Sequence, residues 1–191
     1  MSKIILAALM LLSFNAFATP SKQEAKDFIN NISHDAISII QNTQLNDSQK
    51  QEKLSHMFIN IIDIGWISKF VLGANFKQVS PDEFQQFTKA YQHFLINRYV
   101  PKFKQYNRDE IKILDIEQID QNRFKVSTII DRKQESDVKV DYMIKYYDNT
   151  IKFKIFDIIA EDISMIATHR TEFNSLFNQQ GFSGLFSAIN K

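Results

Sequence analysis

The 191-residue chain has no cysteine, three prolines, four glycines and one tryptophan. Without cysteine it can form no disulfide, no thiolate metal site and no cysteine nucleophile. Four glycines are too few for a glycine-rich phosphate loop, and neither G-x-G-x-x-G nor G-x-x-x-x-G-K-S/T occurs. Charge of one sign is lacking too. The 23 Lys and Arg against 22 Asp and Glu leave +1, so there is no basic footprint for nucleic acid. The four histidines, His34, His56, His93 and His169, show no metal-ligand spacing. His93 and His169 read as helix-surface or rim residues. There is no G-x-S-x-G elbow, and the acids are scattered, so no carboxylate pair stands out. No apolar run reaches the length of a membrane span.

What is present begins with an address. Lys3 precedes the apolar run Ile4 to Leu12, and Asn15-Ala16-Phe17-Ala18 closes it in an A-x-A cleavage signature. Residues 1–18 therefore read as a signal peptide, with an uncleaved anchor as the alternative, and 19–191 as one domain. That domain carries 22 basic and 22 acidic residues. An exported chain without cysteine points to the bacterial periplasm.

Two periods divide the rest. Ser21 to Glu24 is a capping box, and Ala25, Phe28, Ile29, Ile32, Ala36, Ile39 and Ile40 follow at helical spacing. Asn46-Asp47-Ser48 restarts a helix, and an apolar piece from Ile64 to Leu72 ends at Gly73. Ser80-Pro81-Asp82-Glu83 opens another helix, which Pro101 ends or kinks. The period then becomes two over 111–119, 123–131, 138–146 and 151–159. Clean alternation implies antiparallel strands with one wet face. Helical spacing returns at Ile163, and Gly181 breaks it before a last short helix. The expectation is an α+β fold: an antiparallel sheet of about four strands with helices packed on one face.

Phenylalanine is over-represented, with 17 in the chain and 15 after the leader. A filled core and a cavity for a greasy ligand both account for this, and composition does not separate them. Two charges interrupt apolar stripes. Asp157 shares the strand phase of Phe153, Ile155 and Ile159, and Arg170 shares the helix face of Ile166, Phe173 and Phe177. A charge on a buried face needs a partner. The two either pair with each other or with backbone groups, or Arg170 meets an anionic headgroup at a cavity mouth.

The segments D-I-G-W-I-S-K-F-V-L-G-A-N-F-K-Q-V-S-P-D-E-F-Q-Q-F (Asp63 to Phe87), then Tyr91 to Tyr99, and F-D-I-I-A-E-D-I-S-M-I-A-T-H-R-T-E-F (Phe156 to Phe173), with G-F-S-G-L (Gly181 to Leu185), resemble the MlaC or toluene-tolerance family. The likeness spans essentially the whole chain after the leader. Asp162 stands where the family has a glycine, and Phe76, Phe153 and Phe156 stand where it often has Trp or Tyr. The resemblance implies an MlaC-like, NTF2-like cone enclosing an apolar cavity, and a periplasmic phospholipid carrier that works as a monomer. It implies a phospholipid cargo and no cofactor. The partners would be an inner-membrane MCE/ABC transporter complex and an outer-membrane lipoprotein–porin complex, with lipid asymmetry of the outer membrane as the outcome. From phase and the matched segments, the expected cavity wall is Phe70, Val71, Tyr91, Phe94, Phe156, Ile163, Ile166 and Leu185. Asp157, Ser164 and Arg170 are expected near the headgroup or in a structural role, with Ser164 capping the following helix. The alternative is a periplasmic enzyme of the same cone type acting on an amphiphile, with Asp157, Arg170 and a histidine near its mouth.

Overall fold

The structure, a computed structural model, describes residues 19–106, 110–131, 136–148 and 153–190. The leader expected over 1–18 lies outside these residues, as do Asn149 and the first two residues of the strand expected from Ile151. The elements are α1 (Lys22–Gln41), α2 (Asp47–Ile61), α3 (Ile64–Leu72), α4 (Pro81–Tyr99), β1 (Glu110–Gln118), β2 (Arg123–Asp131), β3 (Val138–Tyr146), β4 (Phe153–Ala160), β5 (Ile163–Ser164) and α5 (Met165–Ile189). Short 3-10 pieces, Gly73–Gln78 and Val100–Tyr106, follow α3 and α4.

Caps written in the sequence start the helices. Ser21 and Glu24, Asn46 and Gln49, and Ser80 and Glu83 form reciprocal capping boxes at α1, α2 and α4. Asp63 accepts from the Trp66 amide to start α3, and its other oxygen accepts from the Tyr147 hydroxyl, tying that cap to the end of β3. Gly73 ends α3 at φ 57°, ψ −128°, a conformation glycine adopts at little cost. A Cβ there would lie 3.1 Å from Arg170 Nη2, so the bare backbone also makes room for that guanidinium. Gly181, at φ 66°, kinks α5 where the sequence predicts a break.

The sheet is antiparallel in the order β1-β2-β3-β4-β5. It has five strands rather than about four, because the two residues before α5 pair with the end of β4. The turn between them, Glu161-Asp162, holds both residues at positive φ, 48° and 62°. That is the pattern of a two-residue hairpin turn that follows strand twist.

Two bulges decide which side chains face inward. In β1 the register slips between Ile113 and Asp115, so exposed Leu114 is extra and Ile116 returns to the face of Ile111 and Ile113. In β4 Ile155 pairs with Ile144 but Asp157 pairs with Met143, so Phe156 is extra. Asp157 and Ile159 thereby move to the opposite face from Ile155, while Ile158 and Ala160 join it. Strict alternation assigns Asp157 to the face of Ile155; the bulge corrects this.

Apolar packing falls into two clusters. One lies among α2, α3, α4 and α5, built on Phe87, Tyr91, Leu95, Phe173, Phe177 and Leu185. The other joins Ala25 and Ile29 of α1 to Phe124, Val126, Ile144, Phe153 and Ile155 of the sheet.

Candidate functional site

Between the two clusters lies a hollow of about 510 Å³. Its walls are the C-terminal half of α1 (Ile32, Ala36, Ile37, Ile40), the end of α2 (Met57, Phe58, Ile61) and the inner face of the sheet (Ile130, Val140, Tyr142, Ile155, Ile158). The end of α4, the Val100–Tyr106 piece and the start of α5 close it. Among the described residues nine isoleucines line it, against two phenylalanines, Phe58 and Phe103. Among the described residues no Asp or Glu lines it, and the only ionised side chains in the lining are Arg98 and Lys102. Both are exposed, as are Ala160, Ile163 and Thr168, so this group marks the mouth. Ile163 keeps 65% of its surface in solvent.

Arg98 lies in the last turn of α4 and Lys102 in its 3-10 extension, and both side chains line the hollow. Lys102 Nζ lies 5.5 Å from the centre of the Tyr99 ring, and the Arg98 guanidinium lies 5.5 Å from that of Phe94. Among the described residues neither meets a carboxylate in an ion pair. The charges on the sheet side are engaged with one another. Lys112 pairs with Asp131 at 2.8 Å, Lys139 Nζ lies 3.9 Å from Asp162, and the Lys139 amide donates to Glu161 at 2.8 Å.

His169 joins the hollow to the aromatic cluster. It is 1% exposed, not a surface residue as its spacing suggests. Its Nδ1 is 2.8 Å from the Tyr91 hydroxyl and its Nε2 is 3.1 Å from the Tyr99 hydroxyl. A neutral imidazole carries one N–H and one bare nitrogen, so one tyrosine donates and the other accepts. Its ring stacks on Phe173 at 5.6 Å and meets Phe94 edge-on at 5.4 Å. Burial, helped by the nearby Arg98 charge, pushes its pKa down to about 4, so it is neutral at pH 7. Burial pushes the Tyr91 hydroxyl well up, and Tyr99 also rises despite Arg98, so both stay protonated.

Of the eight residues expected to wall a cavity, only Ile163 lines the hollow. Val71, Tyr91, Phe94, Ile166 and Leu185 belong to the filled cluster of α2 to α5 or pack against it. Phe70 and Phe156 flank Trp66, each 5.2 Å from its ring.

Asp157 and Arg170 do not meet. Asp157 is buried and accepts from the Ile158 amide at 2.8 Å, the Ser164 hydroxyl at 2.6 Å and the Ile166 amide at 3.2 Å. It anchors the start of α5 to the sheet. Burial raises its pKa, and the Ser164 and backbone donors oppose that. Ser164 itself caps α5, accepting from the Ala167 amide at 3.1 Å. Arg170 is exposed, not on the buried face, because α5 turns His169 inward instead. Its guanidinium lies 4.8 Å over the Phe70 ring, away from the mouth.

The residues that build the site carried a signal of their own. Ile37 sits beside Ala36 and Ile40 and widens the apolar stripe of α1 beyond what one contact needs. Arg98, Tyr99 and Lys102 bracket a helix end marked by Pro101. Among the described residues no group of three or more His, Asp or Glu is placed to hold a metal.

The model of the MlaC protein family matches residues 30–191. The phospholipid-binding protein from Ralstonia solanacearum, solved in complex with a phospholipid, superposes with a TM-score of 0.76 at 17% sequence identity. The match covers 87% of this chain and 94% of that one. At that identity the likeness establishes the fold.

Proposed function

The chain belongs to the MlaC family, and from that premise we propose that it binds a phospholipid, holds an acyl tail in the hollow and carries it through the periplasm. It would receive and deliver its cargo at the lipoprotein–porin complex of the outer membrane and the MCE/ABC transporter of the inner membrane. The observation that carries this reading is the hollow itself: about 510 Å³ walled mostly by aliphatic side chains, with no acid among the described residues of its lining. A dry apolar cavity of about 150 Å³ takes one six-carbon ring. By that measure this one takes on the order of 20 carbons, one full tail. At about 0.8 kcal/mol per methylene, such a tail gains roughly 16 kcal/mol on leaving water. A bilayer offers it nearly the same. The net preference is therefore small, and docking can decide direction.

An enzyme acting on an amphiphile is the competing reading. Both nitrogens of His169 are taken by tyrosines and its pKa lies far below 7, which makes it a poor general base. Asp157 is occupied by three donors and faces away from the hollow. These features favour a carrier. Incubating delipidated protein with phospholipid vesicles tests it. The native chain should extract lipid, and Ile158→Glu, which puts a charge on the inner wall, should abolish extraction while the circular dichroism is unchanged. No extraction by the native chain would contradict the proposal.

A further inference from the structure

We infer that Arg98 and Lys102 form an anion-binding rim that takes the phosphate of the lipid, so that the hollow discriminates headgroups as well as sheltering tails. This rests on the carrier reading and adds a site to it. Three observations converge on the pair. Among the described residues they are the only ionised ones in the lining, and both are cationic. On the facing sheet edge Asp131 pairs with Lys112 and Asp162 lies 3.9 Å from Lys139, and among the described residues no carboxylate forms an ion pair with Arg98 or Lys102. The pair is also held in place. The Tyr99 ring under Lys102 is anchored through its hydroxyl to His169, and His169 to Tyr91, so the last turn of α4 is fixed to the core by a buried hydrogen-bonded chain.

The geometry suits a phosphodiester. A tail inside the hollow brings the glycerol to the mouth, and the next group outward is the phosphate. A guanidinium presents a planar fork to the two non-bridging oxygens of a phosphodiester, and the Lys102 ammonium adds a second positive charge at the same mouth. A headgroup without phosphate leaves both cations merely solvated. The site therefore favours a phosphate-bearing amphiphile over a neutral one with the same chains. His169 and Tyr99 act as positioning residues, since neither needs to touch the anion.

The test uses vesicles of phosphatidylglycerol doped with diacylglycerol carrying the same chains, with lipid extracted by the delipidated protein quantified by mass spectrometry. The native protein should extract phosphatidylglycerol in preference to diacylglycerol, relative to their vesicle content. Arg98→Gln/Lys102→Gln should lower that preference roughly tenfold and leave diacylglycerol uptake and the thermal melt unchanged. An unchanged preference in the double variant overturns the inference while the carrier reading stands. Extraction of neither lipid by the native protein overturns the carrier reading and this inference with it. Inorganic phosphate at millimolar concentration should not block uptake; if it does, the rim serves a free anion and the assignment to a headgroup is wrong.

Discussion

The two halves of this molecule use apolar residues in opposite ways. Between α4 and α5, the rings of Phe87, Tyr91, Phe94, His169 and Phe173 meet edge to face or stacked at 5.3–6.1 Å between centroids. Between α1, α2 and the sheet, isoleucines and valines stand around a void. The phenylalanines that raise the expectation of a cavity mostly fill the solid half. The aliphatic half stays open. Aromatic rings interdigitate with one another and close gaps, whereas stiff β-branched side chains on a pleated sheet keep a fixed wall that does not collapse inward. Being greasy does not make a residue part of the site; what matters is whether its neighbours reach it.

The contrast breaks most visibly on truncation. Phe173→Ala should cost about 3–5 kcal/mol, because it empties a filled site. Ile158→Ala should cost only about 1 kcal/mol, because its outer atoms already lack partners. Urea unfolding of the two variants checks this, and equal losses would erase the distinction.

Next comes pH. Unfolded His169 takes its proton near 6.5, but the folded side chain resists until about 4. The unfolded state thus binds more protons across that window, and stability falls as pH drops from about 6.5 to 4, by roughly 3 kcal/mol in all. The raised pKa of Asp157 acts in the opposite direction. Comparing native protein with His169→Phe isolates the histidine arm: the variant should lose it, at the cost of leaving the Tyr91 hydroxyl without its partner. Denaturant titrations at a series of pH values give the slope.

Overfilling sharpens the comparison from the other side. Ala90→Phe, in the solid half, should lose about 1–3 kcal/mol. Ala36→Phe faces the hollow and should leave the melting temperature nearly unchanged while reducing lipid uptake. The smallest effect concerns neither half. Asp162→Gly should raise stability by about 0.5–1 kcal/mol by relieving its left-handed backbone, read as a small rise in the thermal midpoint.

Much of the fold was legible because it is written locally. Three capping boxes, Pro81, Gly73 and Gly181 mark the element ends, and the switch from helical to alternating period separates helices from sheet. The site was far less legible. Which face Asp157 and Ile158 occupy depends on one extra residue, Phe156, and a bulge is set by pairing across strands rather than by the strand's own pattern. Choosing His169 over Arg170 as the inward residue takes a small rotation of α5, and the two tyrosine partners lie 70 and 78 residues away. An apolar stripe also reads the same whether it meets another side chain or a void. The Asp63 to Leu72 segment, which carries much of the family resemblance, builds the aromatic shelf of Trp66, Phe70 and Arg170 rather than the wall of the hollow.

Native mass spectrometry of the gently purified protein tests the central claim most directly. The account predicts a population heavier than the bare chain by the mass of a phospholipid, released on collisional activation and absent in Ile158→Glu. A single species at the mass of the bare chain, unchanged after incubation with phospholipid vesicles, would contradict it.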